Sequence, residues 1–255
     1  MASFTTWDGI GIAYREWGDE QGALPPVVLH HGFVADADSN WVATGVVEAL
    51  ISPRRRVVAA DARGHGRSEK PHDPERYGED RMARDLAGLV DLLGVPQVDL
   101  VGYSMGAIVS LLFAAAEDRV RRLAIGGVGS GVIECGGVDR RSVSNEAIVA
   151  ALEAEDVGEI DDPGALPFRQ LADAVGADRL ALAAQARSVF RGEIPLERIS
   201  APTLLLAGDE DPLADRPEVL VDAIPEAGLR LLHGNHIGAL GDPAFRSSIV
   251  NFLAA

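Results

Sequence analysis

Short apolar runs alternate with longer stretches of helical spacing along this chain. Pro26-Val27-Val28-Leu29-His30 is a continuous apolar run of the kind that forms a strand buried on both faces, and Val57-Val58-Ala59-Ala60 and Val98-Asp99-Leu100-Val101-Gly102 read the same way. Arg122-Leu123-Ala124-Ile125-Gly126, Thr203-Leu204-Leu205-Leu206-Ala207 and Leu229-Arg230-Leu231-Leu232 extend the series, and residues 10–17 alternate loosely, like an edge strand. Between these runs, residues 79–93 carry Met82, Leu86, Leu89, Val90 and Leu93 on one helical face, with Gly94 as a stop and Pro96 beyond it. Residues 105–117 read as a well-buried helix. Phe245, Ile249, Phe252 and Leu253 give 243–253 the same spacing. Strand and helix in alternation predict an α/β fold, a parallel sheet with helices on both faces.

The alternation breaks after Gly126. A glycine-rich stretch, 127–138, is followed by helical segments near 145–155, 167–175 and 178–190, and no buried-strand pattern occurs between about 129 and 200. The pattern predicts a core built from 1–128 and 201–255, with 129–200 as a helical lid inserted between two strands. Such an insertion belongs over the carboxyl ends of the strands, where open α/β sheets place their ligands.

Composition narrows the function classes. With 23 basic against 39 acidic residues the formal net charge is −16, so the surface repels phosphate backbones and anionic lipid; no nucleic-acid or membrane partner is expected. Cys135 is the single cysteine, so no intrachain disulfide is possible, which suits a reducing cytoplasm. The first residues lack a basic region followed by an apolar run, and no apolar stretch approaches the roughly 18 residues needed to cross a bilayer. A cytoplasmic location is the expectation. No pattern specifies an oligomeric state.

Gly102-Tyr103-Ser104-Met105-Gly106 matches G-x-S-x-G, with a buried strand before it and a helix after it. A strand-to-helix turn this tight strains the central residue, excludes side chains at the flanking glycines and lifts the Ser104 hydroxyl above the sheet. A serine hydroxyl needs a base, and the base an orienting acid. Of His30, His31, His65, His72, His233 and His236, only His236 sits in a loop directly after the last predicted strand and follows both nucleophile and acid in chain order; His233 still belongs to the strand end. For the acid, strand 203–207 runs into Gly208-Asp209-Glu210-Asp211-Pro212, and Asp211, three residues past the glycine, aims back toward the His236 loop. Asp209 and Asp215 are its rivals. The stretch after the preceding strand, 126–133, contains no carboxylate. The oxyanion calls for two backbone donors, expected from the Met105 N–H and from the Phe33 N–H in His30-His31-Gly32-Phe33.

With these pieces in place the chain resembles the α/β-hydrolase superfamily, in its small serine esterase, lactonase and iminopeptidase-like branch. The resemblance rests on His31-Gly32-Phe33, Asp61-Ala62-Arg63-Gly64-His65-Gly66-Arg67-Ser68, Gly102 to Gly106, Gly208 to Asp211, Gly234-Asn235-His236 and the helix start Asp242-Pro243-Ala244-Phe245. It implies a mostly parallel eight-stranded sheet with a small helical lid, a structural role for 61–68, and hydrolysis of a small-molecule carboxylic ester or lactone through an acyl-enzyme. No cofactor and no metal are implied. Relatives that open epoxides or remove halide use an aspartate where this chain has Ser104, and none of Tyr14, Tyr77 and Tyr103 lies in the lid.

Other readings use the same triad. A proline-iminopeptidase-like amidase needs lid carboxylates for a free amine, for which Glu153, Glu155, Asp156, Glu159, Asp161 and Asp162 are available, although charge runs usually face water. A carbon–carbon bond hydrolase acting on anionic ring-cleavage products needs an arginine, with Arg169, Arg179, Arg187 and Arg191 to choose from. A perhydrolase side reaction needs only peroxide in place of water, and a non-catalytic small-molecule receptor is the alternative from another class.

Overall fold

In chain order, the computed structural model describes residues 1–19, 22, 24–51, 55–139 and 141–254. Its strands are β1 (Ala2–Thr5), β2 (Gly11–Gly18), β3 (Val27–His30), β4 (Arg56–Ala60), β5 (Val98–Tyr103), β6 (Val120–Gly126), β7 (Thr203–Gly208) and β8 (Ala227–Leu232). They form one sheet in the order β1-β2-β4-β3-β5-β6-β7-β8. β2 runs antiparallel to β1 and β4, and every other pairing is parallel.

β3 and β5 are buried at every position, as continuous apolar runs in a sheet covered on both faces should be. Each such valine or leucine contributes about 1.5–3 kcal/mol by leaving water. Two expectations about edges are corrected. Residues 10–17 do not form the edge, because β1 pairs along β2. At the other end, Leu229, Arg230 and Leu231 are exposed and only Leu232 is buried: β8 is the far edge strand and Leu231 is 58% exposed. A short apolar run carries no information about whether a second layer covers it.

The helices are α1 (Val46–Leu50), α2 (Glu79–Leu93), α3 (Met105–Ala116), α4 (Gly131–Glu134), α5 (Asn145–Glu153), α6 (Leu166–Val175), α7 (Arg179–Arg187), α8 (Pro217–Ala223), α9 (His236–Gly241) and α10 (Pro243–Ala254). α2 begins with Glu79 and Asp80, which suit the positive end of the helix dipole, and stops at Gly94, whose φ of 64° caps it in the left-handed region. α3 lies against α2 and β5 and is buried almost all round. Apolar clusters fill both faces of the sheet.

Helices α4 to α7 all fall between β6 and β7. α5 packs on α6 and α7, and these helices form a third apolar cluster of their own around Leu152, Ala172 and Leu182. Val34, from the loop after β3, joins that cluster and ties it to the sheet. Ser144 caps α5 by accepting from the Ala147 N–H, and Asp178 caps α7 by accepting from Leu180 and Ala181.

The loop after β3 is braced from the 61–68 segment. His31 Nε2 accepts the Ala62 N–H at 2.9 Å, and His65 Nε2 accepts the Val34 N–H at 3.2 Å. Asp61 accepts from Ala37 and Arg67, while the fully buried Arg63 forks onto Asp85 and Asp8. Since both imidazoles accept at Nε2, each carries its proton on Nδ1, which donates to the Gly32 carbonyl from His31 and to the Arg63 carbonyl from His65. Both rings must therefore be neutral.

Burial enforces that state, pushing His30 and His65 down to about 3 from an ordinary 6.5 and lowering His31 as well. Between pH 6.5 and 3 the unfolded chain binds more protons at these rings than the fold does. Their stabilisation is complete above about 6.5 and is lost as pH falls toward 3, at up to about 1.4 kcal/mol per pH unit for each ring. The urea midpoint should accordingly fall clearly between pH 7.5 and 5.0. Equal midpoints at the two pH values would contradict the neutral-histidine assignment.

Candidate active site

Ser104 occupies the turn between β5 and α3 with φ 54° and ψ −117°, a left-handed geometry that L residues adopt only when the surroundings enforce it. The glycines on either side show what enforces it. A Cβ on Gly102 would lie 2.3 Å from the Gly106 carbonyl oxygen, and one on Gly106 would lie 2.0 Å from the His30 carbonyl oxygen. β5, β3 and α3 thus meet backbone to backbone around the serine, and the Ser104 N–H is held by the Gly126 carbonyl at 2.8 Å.

His236 and Asp211 come together as expected from their strand ends. His236 Nδ1–H donates to Asp211 Oδ2 at 2.8 Å, and the other carboxylate oxygen accepts the Leu213 N–H at 2.9 Å. The Asp211 side chain is fully buried. The loop expected around His236 is in fact a helix start. Asn235 accepts the Gly238 N–H and caps α9, so His236 is its first residue and has fixed backbone direction. The rivals are placed elsewhere: Asp209 pairs with the exposed His233, and Asp215 with Arg216.

Two residues outside the expected set hold the histidine. The Tyr103 hydroxyl donates to the His236 carbonyl, and the two rings lie 5.2 Å apart. Burial and the Asp211 charge both raise the Tyr103 phenol, so it remains a neutral donor. Gly127, φ +68°, passes so close that a Cβ there would lie 2.9 Å from His236 Cε1. Tyr103 stood inside the serine motif and offered a signal; Gly127 offered only its membership in a glycine-rich stretch.

Gly32 brings the loop after β3 to the serine, since a Cβ on it would touch Ser104 Cβ at 3.4 Å. Asn40 Oδ1 accepts the Gly32 N–H at 3.0 Å and fixes that approach. The Phe33 and Met105 N–H groups, the expected oxyanion donors, have no backbone hydrogen-bond partner among the described residues and are free to serve a ligand.

Ser104, Met105, Phe33 and His236 all line one cavity of about 750 Å³ beneath α5, α6 and α7. Its wall is mainly apolar. Two carboxylates, Glu79 and Asp139, reach it, and among the described residues no arginine or lysine does. Of the candidate arginines, Arg191 is exposed, and the other three are engaged outside the cavity. Arg169 and Arg179 cap the end of α5 through the Ala154 carbonyl, and Arg187 pairs with Glu153 at the surface. Glu153, Glu155, Asp156, Glu159 and Asp161 face solvent, so no amine-binding set forms from them. Among the described residues no cluster of histidine, cysteine and carboxylate side chains could hold a metal, and no helix is long and apolar enough to cross a membrane.

Residues 25–131 match the family model for the alpha/beta hydrolase fold. A non-heme chloroperoxidase of Streptomyces lividans is 38% identical over 42% of this chain, and a 2-hydroxy-6-oxo-2,4-heptadienoate hydrolase of Pseudomonas putida is 41% identical over 42% of it. Those matches span 36% and 38% of the respective relatives. Over the whole chain, the crystal structure of a hydrolase from Pseudomonas aeruginosa PA01 superimposes with a TM-score of 0.78 at 29% identity, covering 100% of this chain and 98% of that one. The eight-stranded sheet order, the strained serine turn and these likenesses agree: the chain has the α/β-hydrolase fold.

Proposed function

We propose that this protein is a serine hydrolase that cleaves a small neutral carboxylic ester or lactone through an acyl-enzyme. The observation that carries the reading is the strained Ser104 opening into the same cavity as His236, whose far nitrogen is engaged by a buried carboxylate. Ser104 Oγ attacks the carbonyl carbon while His236 Nε2 takes its proton. Asp211 keeps Nδ1 protonated and stabilises the imidazolium. The tetrahedral oxyanion is received by the Phe33 and Met105 N–H groups. The leaving alkoxide departs with the proton from His236, and a water deprotonated by the same ring releases the acid. Helices α4 to α7 serve as the lid that shapes the cavity.

Chemistry on anionic ring-cleavage products is less well supported, because among the described residues no arginine or lysine lines the cavity. A p-nitrophenyl butyrate time course should show a burst approaching one equivalent of nitrophenol, with the butyryl adduct on the peptide containing Ser104 by mass spectrometry. An adduct on a different residue, or none alongside steady turnover, would overturn the acyl-serine route.

A further inference from the structure

We infer that three buried carboxamides, Asn40, Asn145 and Gln185, form a polar subsite that selects hydroxy- or keto-acyl groups over plain alkyl chains. This rests on the ester-hydrolase reading and names the substrate class for it. All three residues line the cavity and all are nine-tenths or more buried. Among the described residues each leaves one amide atom without a partner: Nδ2 of Asn40, Nδ2 of Asn145 and Oε1 of Gln185.

Buried polar atoms are nearly always matched, so three unmatched amides that all line one cavity call for a ligand to match them. Fully apolar side chains would serve a cavity built for alkyl groups. A substrate that fills this cavity displaces whatever water meets these amides and must replace the hydrogen bonds it removes. An alkyl chain replaces none of them, whereas a hydroxyl or carbonyl does, and sites of this kind reject analogues that lack the bonding group.

Placement says where on the substrate the oxygen belongs. Asn40 Oδ1 accepts from Gly32, where a Cβ would lie 3.4 Å from Ser104 Cβ, and the Gln185 amide nitrogen lies 2.7 Å from the sulfur of Met105, the residue after Ser104. Either orientation of the Gln185 amide leaves one of its atoms unmatched. These two amides therefore belong to the Ser104 end of the cavity, while Asn145 lies at the start of α5. Among the described residues no arginine or lysine lines the cavity to pair with a carboxylate, so the oxygen is carried by a neutral group.

The test compares p-nitrophenyl 3-hydroxybutyrate with p-nitrophenyl butyrate, each corrected for its rate with hydroxide, on wild type, Gln185→Leu and Asn145→Leu. Wild type should favour the hydroxy ester at least tenfold in kcat/KM, and each variant should lower that ratio about tenfold. Tm should stay level or rise in both variants, since an unmatched buried polar atom is removed. A corrected wild-type ratio near one overturns the inference whether or not the variants fold, and so does a ratio kept in the variants. A sharp loss of Tm in both, with the ratio intact, assigns the amides to structure and also overturns it. If wild type hydrolyses neither ester, the ester-hydrolase reading fails separately. The subsite is then read from thermal shift with methyl 3-hydroxybutyrate against methyl butyrate: selective stabilisation by the hydroxy ester supports it, and equal shifts overturn it.

Discussion

Ser104→Ala is expected to lower kcat/KM for p-nitrophenyl acetate by roughly 10⁴- to 10⁶-fold while leaving the fold intact. The activity loss follows from removing the hydroxyl that forms the acyl bond in the proposed route. The remaining rate comes from water attacking within a cavity that still binds the ester and still presents two backbone donors. Stability should hardly change. Ser104 makes no side-chain cap bond to α3, so its hydroxyl contributes nothing to the helix start. Alanine also meets the same left-handed strain that serine does, because both carry a Cβ. A Tm within a degree or two of wild type, beside the collapse in rate, is the expected pair of results. A variant that retains a tenth of wild-type turnover would remove Ser104 from the mechanism.

Asp211→Asn should cost about 10⁴-fold in kcat with little change in KM, for a reason visible in the hydrogen bonds. One carboxylate oxygen of Asp211 accepts the Leu213 N–H and the other accepts from His236 Nδ1. Asparagine has only one acceptor oxygen. The backbone N–H cannot turn away, so the oxygen stays on Leu213 and the NH₂ faces His236. The ring must then accept at Nδ1 and carry its proton on Nε2, where it cannot take a proton from serine. The substitution replaces a carboxylate by an amide of the same shape, so the defect lies in the tautomer rather than in packing. Rates measured on a p-nitrophenyl ester at pH 7.5 check this directly, and a loss below tenfold would assign the orienting role elsewhere.

Much of this site was legible before any folding was considered. Ser104 could be read because a G-x-S-x-G turn is a local device: the strain is set within five residues, and the glycines are needed whatever the rest of the chain does. Asp211 and His236 could be read because parallel strands all end on one side of the sheet. Residues just past the ends of β7 and β8 must then lie near the residue past β5. The same logic placed Phe33 beside the serine.

What escaped is equally physical. Strand β1 is too short and too exposed to show a pattern, and exists through its pairing with β2. β8 read as buried because three leucines look the same with or without a covering layer. The lid arginines and carboxylates offered plausible partners for ionic substrates, yet most turn to helix ends or to solvent. Only packing shows which way a side chain on an amphipathic helix points.

By itself, the sequence determined the class of fold and singled out the candidate nucleophile and the residues proposed to serve it, because periodicity, turn strain and strand order act over short spans or follow from connectivity. The tertiary structure alone decided how those residues are supported and what they face. Tyr103 and Gly127 clasp His236, two histidines 34 residues apart brace the loop after β3, and Asn40, Asn145 and Gln185 line one cavity. Those proximities join positions that share no local pattern, and they arise only when the lid and the sheet are packed together.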